Sequence, residues 1–217
     1  MALVLKISGR VFDNEELVLK YAEILNKLPG RIAVVAGGGE VARRYIAVAR
    51  KGGASNTFQD LLGIYASRLN ALLLISLLKD AYAKVPRNME EFLEAWGRSR
   101  IVVTGGFQPG QSTATVAALV AEAVRAAALL NAANIDAVYS DDPRKNPNAT
   151  RLSELKYDEF ERILRSSNLP GGYELIDTWA VSILKRSCIT TYIFDGRTPE
   201  AIEAVVRGEN PGSKITC

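Results

Sequence analysis

Residues 101–113, IVVTGGFQPGQST, place Gly105, Gly110 and Ser112 at the spacing of a phosphate-binding P-loop, G-x-x-x-x-G-K-[ST]. The lysine position holds Gln111, which can donate a hydrogen bond but brings no charge. Two more glycine stretches follow strand-like runs, KISGR at 6–10 and AGGGEVARR at 36–44. Glycines let backbone N–H groups approach an anion closely, and a following helix N-terminus adds its dipole. One such loop alone reads as a tight turn; three on one sheet edge point to a phosphate site. Lys6 stands alone in the apolar run LVLKIS, where an ammonium is costly unless it emerges at a site. Snorkelling at the sheet edge is its plain alternative. Lys6 is therefore expected to supply the charge that Gln111 lacks. Arg43 and Arg44 follow the triple glycine, where a solvated helix face would also explain them. Asp60 and Arg68 lie two turns apart on an otherwise apolar helix, and Asp177 opens a helical pattern, a position that suits an N-terminal acid for electrostatic reasons alone.

The rest of the composition narrows the chemistry. The chain has no histidine, which removes the commonest general base and transition-metal ligand. Ser-His-Asp and Cys-His hydrolysis are excluded. Phosphoryl transfer suits such a chain, because it needs positioning and charge neutralisation more than covalent help. A phosphate monoester acceptor, with a second pKa of about 6, needs no base to become a nucleophile. The net charge of +3 is too mild for a nucleic-acid groove or a polybasic membrane patch. Cys188 and Cys217 are the two cysteines; Cys188, in SCITTYIF, reads as a small buried hydrophobe, and neither a disulfide nor a metal site is expected, as in a reducing cytosol. MALVLKISG is too short for a signal h-region with a cleavage site, so no signal peptide is expected, and LNALLLISLLKD, flanked by Arg68 and Lys79, is not expected to span a bilayer.

These groups need a frame to hold them. The 217 residues, 48% of them hydrophobic, suit one domain with a sizeable core. Apolar runs predict strands at 3–8, 31–39, 100–106, near 129–133, at 189–194 and at 213–216. Helical periodicity predicts helices at 14–28, 40–51, 57–79, 88–96, 112–128, about 157–166, 173–186 and 198–206. Between 134 and 148 the chain reads as turns. Strands alternating with helices predict an α/β fold, a mostly parallel sheet covered on both faces, with ligands beyond the carboxyl ends of the strands. The helix over 57–79 is apolar around so much of its girth that it is expected to face another subunit.

The motifs LKISGRVF (5–12), GGGEVARRYI (37–46), DLLGIYASRLNA (60–71), VVTGGFQPGQSTATVAALVAEA (102–123), NIDAVYSDDPR (134–144) and GYELIDTWAVSILKRS (172–187) resemble the amino-acid kinase family, and within it the archaeal uridylate kinases. The resemblance runs from residue 3 to about 216, and the short chain fits this branch better than the longer acetylglutamate and carbamate kinases. It implies a three-layer αβα sandwich over 1–217, acceptor-binding to about 125 and ATP-binding from about 126. It implies ATP-dependent phosphorylation of UMP to UDP for pyrimidine nucleotide synthesis, with Mg2+ carried on ATP, in a cytoplasmic homohexamer without nucleic-acid or membrane partners. Lys6, Gly9, Arg10, Gly39, Arg43, Asn134, Tyr139 and Asp142 would contact ATP, the last two at the adenosine. Gly38, Asp60 and the stretch Gly106, Phe107, Gln108, Pro109, Gly110, Gln111, Ser112 and Thr113 would hold UMP. Lys6, Arg43 and Asp177 would be catalytic, and no protein-borne metal is expected. The sequence departs from the family pattern at Ala133 and Ala137, where Thr and Gly are common, and at Ala114, where many relatives carry Asp. Two rivals remain: a family member acting on a carboxylate, carbamate or phosphonate, and a nucleotide-binding or storage protein without catalysis. The GGFQPGQST loop speaks against the first, and Lys6, Arg43 and Asp177 against the second.

Overall fold

A computed structural model describes residues 2–143, 145–166 and 176–217. The motif residues 172–175 and Arg144, and the start of the helix predicted at 173, lie outside these. A seven-stranded sheet runs in the order β3-β2-β1-β4-β8-β9-β7, with β1 Ala2–Ile7, β2 Arg31–Ala36, β3 Ile101–Thr104, β4 Ala128–Ala133, β7 Glu154–Lys156, β8 Thr190–Asp195 and β9 Ser213–Thr216. The first five strands in that order are parallel; β9 runs antiparallel to β8, and β7 pairs parallel with β9. Thus β1, β2, β3 and β4 all end at one edge.

The helices α1 Glu15–Lys27, α3 Asn56–Ser76 and α8 Ala201–Val206 cover one face, through Tyr21, Leu25, Leu74 and Ile202 against Leu3, Leu5 and Ile7. The helices α4 Met89–Arg98, α5 Thr113–Ala123, α6 Tyr157–Ser166 and α7 Thr178–Arg186 cover the other, through Phe92, Val116, Val120 and Val181 against Val4, Val35 and Val102. The αβα sandwich is therefore present. Side chains alternate along a strand, so Lys6 follows Val4 onto the α5–α7 face. The helix α2 Gly39–Lys51 packs beside α3 rather than under the sheet.

Several boundaries move from their sequence expectations, each for a tertiary reason. The α3 helix stops at Ser76 instead of continuing to 79, because Asn26 of α1 donates to the Leu77 carbonyl and accepts from Lys79 N–H, drawing the chain out of the helix. The α5 helix ends at Ala123, not 128. Arg125 adopts φ 49° and Ala127 N–H already bonds Ala2 O, so strand pairing takes the residues that Ala-rich composition assigned to the helix. The stretch read as turns holds β5 Val138–Tyr139, antiparallel to β6 Arg151–Leu152. Two residues of pairing leave no periodicity to read.

The cysteine expectation is overturned. Cys188 and Cys217 form a disulfide, their Cα atoms 5.6 Å apart, inside the range that a bridge spans without moving backbone. Cys188 is exposed and sits before β8 with φ 51°, in the turn that ends α7. The apolar residues after it, not Cys188 itself, enter the core. By length and composition α3 could cross a membrane. Its Gln59, Ser67, Arg68 and Asn70 nevertheless all bond groups of this same domain.

Candidate active site

The three glycine loops meet where β1, β2 and β3 end. Gly9, in the 3-10 turn Gly9–Asp13, lies against Gly37–Gly39 backbone to backbone. A Cβ on Gly9 would fall 2.0 Å from Gly39 N, and one on Gly37 2.5 Å from Gly9 N. Gly39 has φ +66°, in the left-handed region that glycine tolerates. The pair of loops is tied further by Asp13. Its carboxylate accepts from Glu40 N–H at 2.8 Å and from the Arg43 guanidinium at 2.9 Å, and Arg43 also donates to Glu40 at 3.0 Å. Arg43 thus stands at the loop as expected, but engaged by two carboxylates. Asp13 carries no motif that would have announced it.

The third loop leans on α3. Gly106 N–H bonds Ser67 Oγ at 2.8 Å, Gly110 N–H bonds Asp60 at 2.9 Å, and Arg68 donates to Gly106 O and Phe107 O at 3.0 Å each. The same helix reaches the second loop, where Asn70 donates to Gly37 O at 2.8 Å. Between α3 and these loops lies a cavity of about 210 Å3 that brings together Gly38, Asp60, Gly106, Gln111 and Thr113. Five residues predicted from separate motifs to hold one ligand therefore line one space. Ser67 lines it too and was missed, since a serine in an apolar helix gives no signal of its partner.

Ser112 caps α5, accepting from Ala114 and Thr115 N–H. Its hydroxyl donates in turn to Asp177, and Thr115 Oγ1 donates to the other oxygen of that carboxylate at 2.8 Å. Asp177 also caps α7 through Ala180 N–H at 2.9 Å. One carboxylate thus joins α5, the helix behind the third loop, to α7. Ala114 is buried; Thr115, one position later, makes the contact toward Asp177.

Lys6 sits half-buried between Val35 and Asn131 in register, on the face of Asp177. No hydrogen bond or ion pair of Lys6 occurs among the described residues. Burial lowers its ammonium to about 8, and the Asp177 charge opposes that shift. A cation of this kind is poised to be claimed by an arriving anion.

The remaining predicted residues lie along β4 and β5. Asn134 accepts from Ser8 at 2.7 Å and shares a cavity of about 280 Å3 with Arg10, Asn14 and Gly196. Tyr139 donates to Asp136 at 3.1 Å, and buried Asp142 sits in the following turn, its carbonyl accepting from Lys145 and Asn146 N–H. Phe107, Gln108 and Pro109 form the span of the third loop between its Arg68 and Asp60 anchors. A larger cavity, about 690 Å3, lies along α3 near Tyr65, Arg68, Leu72 and Val85, and neither Lys6 nor a glycine is among its lining residues. Size alone would select it; the convergent donors favour the smaller one.

Comparison with known proteins identifies the family. The amino acid kinase family matches residues 1–195. A uridylate kinase of Pyrobaculum aerophilum is 79% identical over the whole of both chains. One from Sulfurisphaera tokodaii is 46% identical over 99% of each. Among solved structures, the uridylate kinase from Archaeoglobus fulgidus superposes over the full length of both chains, with a TM-score of 0.92 at 41% identity.

Proposed function

The chain belongs to the amino acid kinase family, and from that premise we propose that it transfers the γ-phosphoryl group of ATP to the phosphate of UMP, giving ADP and UDP. The observation that carries the reading is the cavity lined by Gly38, Asp60, Gly106, Gln111 and Thr113, in a chain 79% identical to a protein named uridylate kinase. Asp60 and the 106–113 loop hold the acceptor, with Gly38, Ser112 and Thr113 at its phosphate. Gly9, Arg10, Gly39, Arg43, Asn134, Tyr139 and Asp142 face ATP, so the N-terminal part of the domain takes the acceptor and the phosphate end of the donor, and the C-terminal part takes the adenosine end.

A phosphate oxygen of UMP attacks the γ-phosphorus, and the bond to the β,γ-bridging oxygen breaks. That acceptor is mostly ionised at pH 7, so no protein base is required. Charge builds on the transferred group and the leaving oxygen, and a preformed cation there lowers the barrier. Lys6 is that cation; phosphate oxygens raise its depressed pKa on binding. Asp177 holds the Ser112 end of the acceptor loop in place and keeps Lys6 directed. Arg43 exchanges a carboxylate for phosphate when ATP arrives. Among the described residues no group of three acidic or cysteine side chains could cage a metal ion; Mg2+ enters as part of the MgATP substrate.

The exposed apolar side chains Val48, Phe58, Tyr65 and Leu69 on α2 and α3 support a homo-oligomer, read here as a cytoplasmic homohexamer. Sedimentation at micromolar protein should give an oligomeric mass. A coupled ADP-release assay with UMP, CMP, dUMP or no acceptor tests the function. UMP-dependent release with UDP as product is expected; release without acceptor, or none with UMP, overturns it.

A further inference from the structure

Arg68 is a charged residue of α3 to which the reaction as described gives no role. Its guanidinium donates to Gly106 O and Phe107 O at 3.0 Å each and to Arg87 O at 2.9 Å. No carboxylate pairs with it among the described residues. Its Nε and Nη2 instead share out over three peptide carbonyls, two of them in the 106–113 loop. Burial, with the nearby Arg87 charge, pulls its pKa below the ordinary arginine value, which marks a cation partly taken out of water. Removing a partly buried charge from water is unfavourable unless its donors are filled, and here the loop carbonyls fill them.

The consequence for the loop is directional. A peptide unit is planar, with its carbonyl and N–H pointing opposite ways. Fixing the Gly106 and Phe107 carbonyls toward α3 turns the N–H groups of Phe107 and Gln108 the other way. Asp60 and Ser67 fix N–H groups of the same loop, at Gly110 and Gly106. Arg68 alone of the three grips its carbonyls. The planar fork of arginine fixes the directions of two neighbouring carbonyls, which the three rotatable donors of a lysine ammonium on its flexible stem do not. The geometry points to Arg68 as the positioning residue of the acceptor loop: it sets acceptor affinity by fixing two loop carbonyls, without touching the substrate. The proposal rests on reading 106–113 as the acceptor loop.

Two measurements test it. Steady-state kinetics of Arg68→Ala should show KM for UMP raised at least about tenfold, the scale of one charge-assisted hydrogen bond, with KM for ATP within about twofold. Arg68→Lys, keeping the charge but not the planar fork, should fall between. A merely structural role would raise both constants together, or lower the melting temperature and leave both alone; either result overturns the proposal. Amide hydrogen exchange of full-length protein reads the loop independently of what is phosphorylated. Exchange at residues 106–110 should accelerate in Arg68→Lys while β1 and β2 stay protected, and unchanged exchange there overturns the proposal too. If unaltered protein shows no UMP-dependent ADP release while exchange responds as expected, the acceptor assignment fails and the role of Arg68 in holding the loop stands.

Discussion

The Gly37–Gly39 turn and the Gly105–Gln111 turn both end parallel strands and both line the cavity, yet opposite means hold them. The first is locked by main chain against main chain. Gly9 and Gly39 sit so close that no side chain fits between them, and one of the few side-chain ties reaching in is Asn70 to Gly37 O. The second is suspended from side chains: Ser67, Arg68 and Asp60 of α3 hold its peptide groups, and Asp177 holds Ser112 at its end. Its tip is open, since a Cβ on Gly110 would meet nothing within 4 Å. A loop locked by backbone contact has one geometry or none. A loop hung on side chains can be loosened one hydrogen bond at a time. The rigid turn suits the group that must be positioned for transfer, and the suspended one suits an acceptor that must enter and leave.

The largest effect should come from breaking the locked turn. Gly9→Ala puts a Cβ 2.0 Å from Gly39 N, where backbone on both sides must move. Destabilisation of at least about 3 kcal/mol is expected, with activity abolished, read from urea denaturation; a stable, active variant would dissolve the distinction between the two turns.

Next comes the covalent tie behind the suspended turn. The α7 helix carries Asp177 at its start and leads at its end to Cys188, bridged to Cys217 across 29 residues. Cys217→Ser, or a reductant, should cost about 3 kcal/mol by loop closure, seen as a lower melting temperature. Were KM for UMP to rise in step, the bridge would also be acting through Asp177 on the loop.

Lys6 lies on β1, beside the strand that leads into the locked turn. Lys6→Met should lower turnover by about 10²-fold with the circular dichroism spectrum unchanged. Near-normal turnover would remove Lys6 from the mechanism. The pH dependence gives a sharper test. With its pKa held at about 8 in the free protein, kcat/KM for ATP should fall as pH rises through about 8, and Lys6→Arg, charged throughout, should lose that limb. Stability has the opposite sign. The unfolded lysine keeps its proton up to the ordinary value of 10.5, so between the two pKa values the unfolded chain binds more protons and stability rises with pH. Lys6→Met should therefore gain most stability below pH 8, and a melting temperature independent of pH from 7 to 10 would contradict this.

The smallest effect belongs to the open tip. Gly110→Ala meets no neighbour, and only its φ of +80° is disfavoured. A cost of about 1 kcal/mol is expected in thermal unfolding, with a modest rise in KM for UMP. A loss of the size expected at Gly9 would mean that the tip is as rigid as the locked turn.

Much of this was legible before any coordinates. Strand-then-glycine appears three times, and parallel βα units bring strand ends to one edge, so the meeting of 9, 37–39 and 105–106 followed from pattern alone. Lys6 was visible because a charge breaks an apolar strand, and Ser112 because a hydroxyl caps the helix after it. What stayed hidden depends on partners far along the chain. That Arg43 rests on Asp13, that Thr115 rather than residue 114 meets Asp177, that Arg68 grips peptide carbonyls, and that Cys188 bridges Cys217 are all set by contacts between distant segments. The short β5, β6 and β7 strands and the early ends of α3 and α5 belong to the same class. The physical reason is that periodicity and capping are local and leave a residue signature. A backbone carbonyl or amide looks the same at every position, so which side chain will reach it is decided only when the sheet and helices have packed.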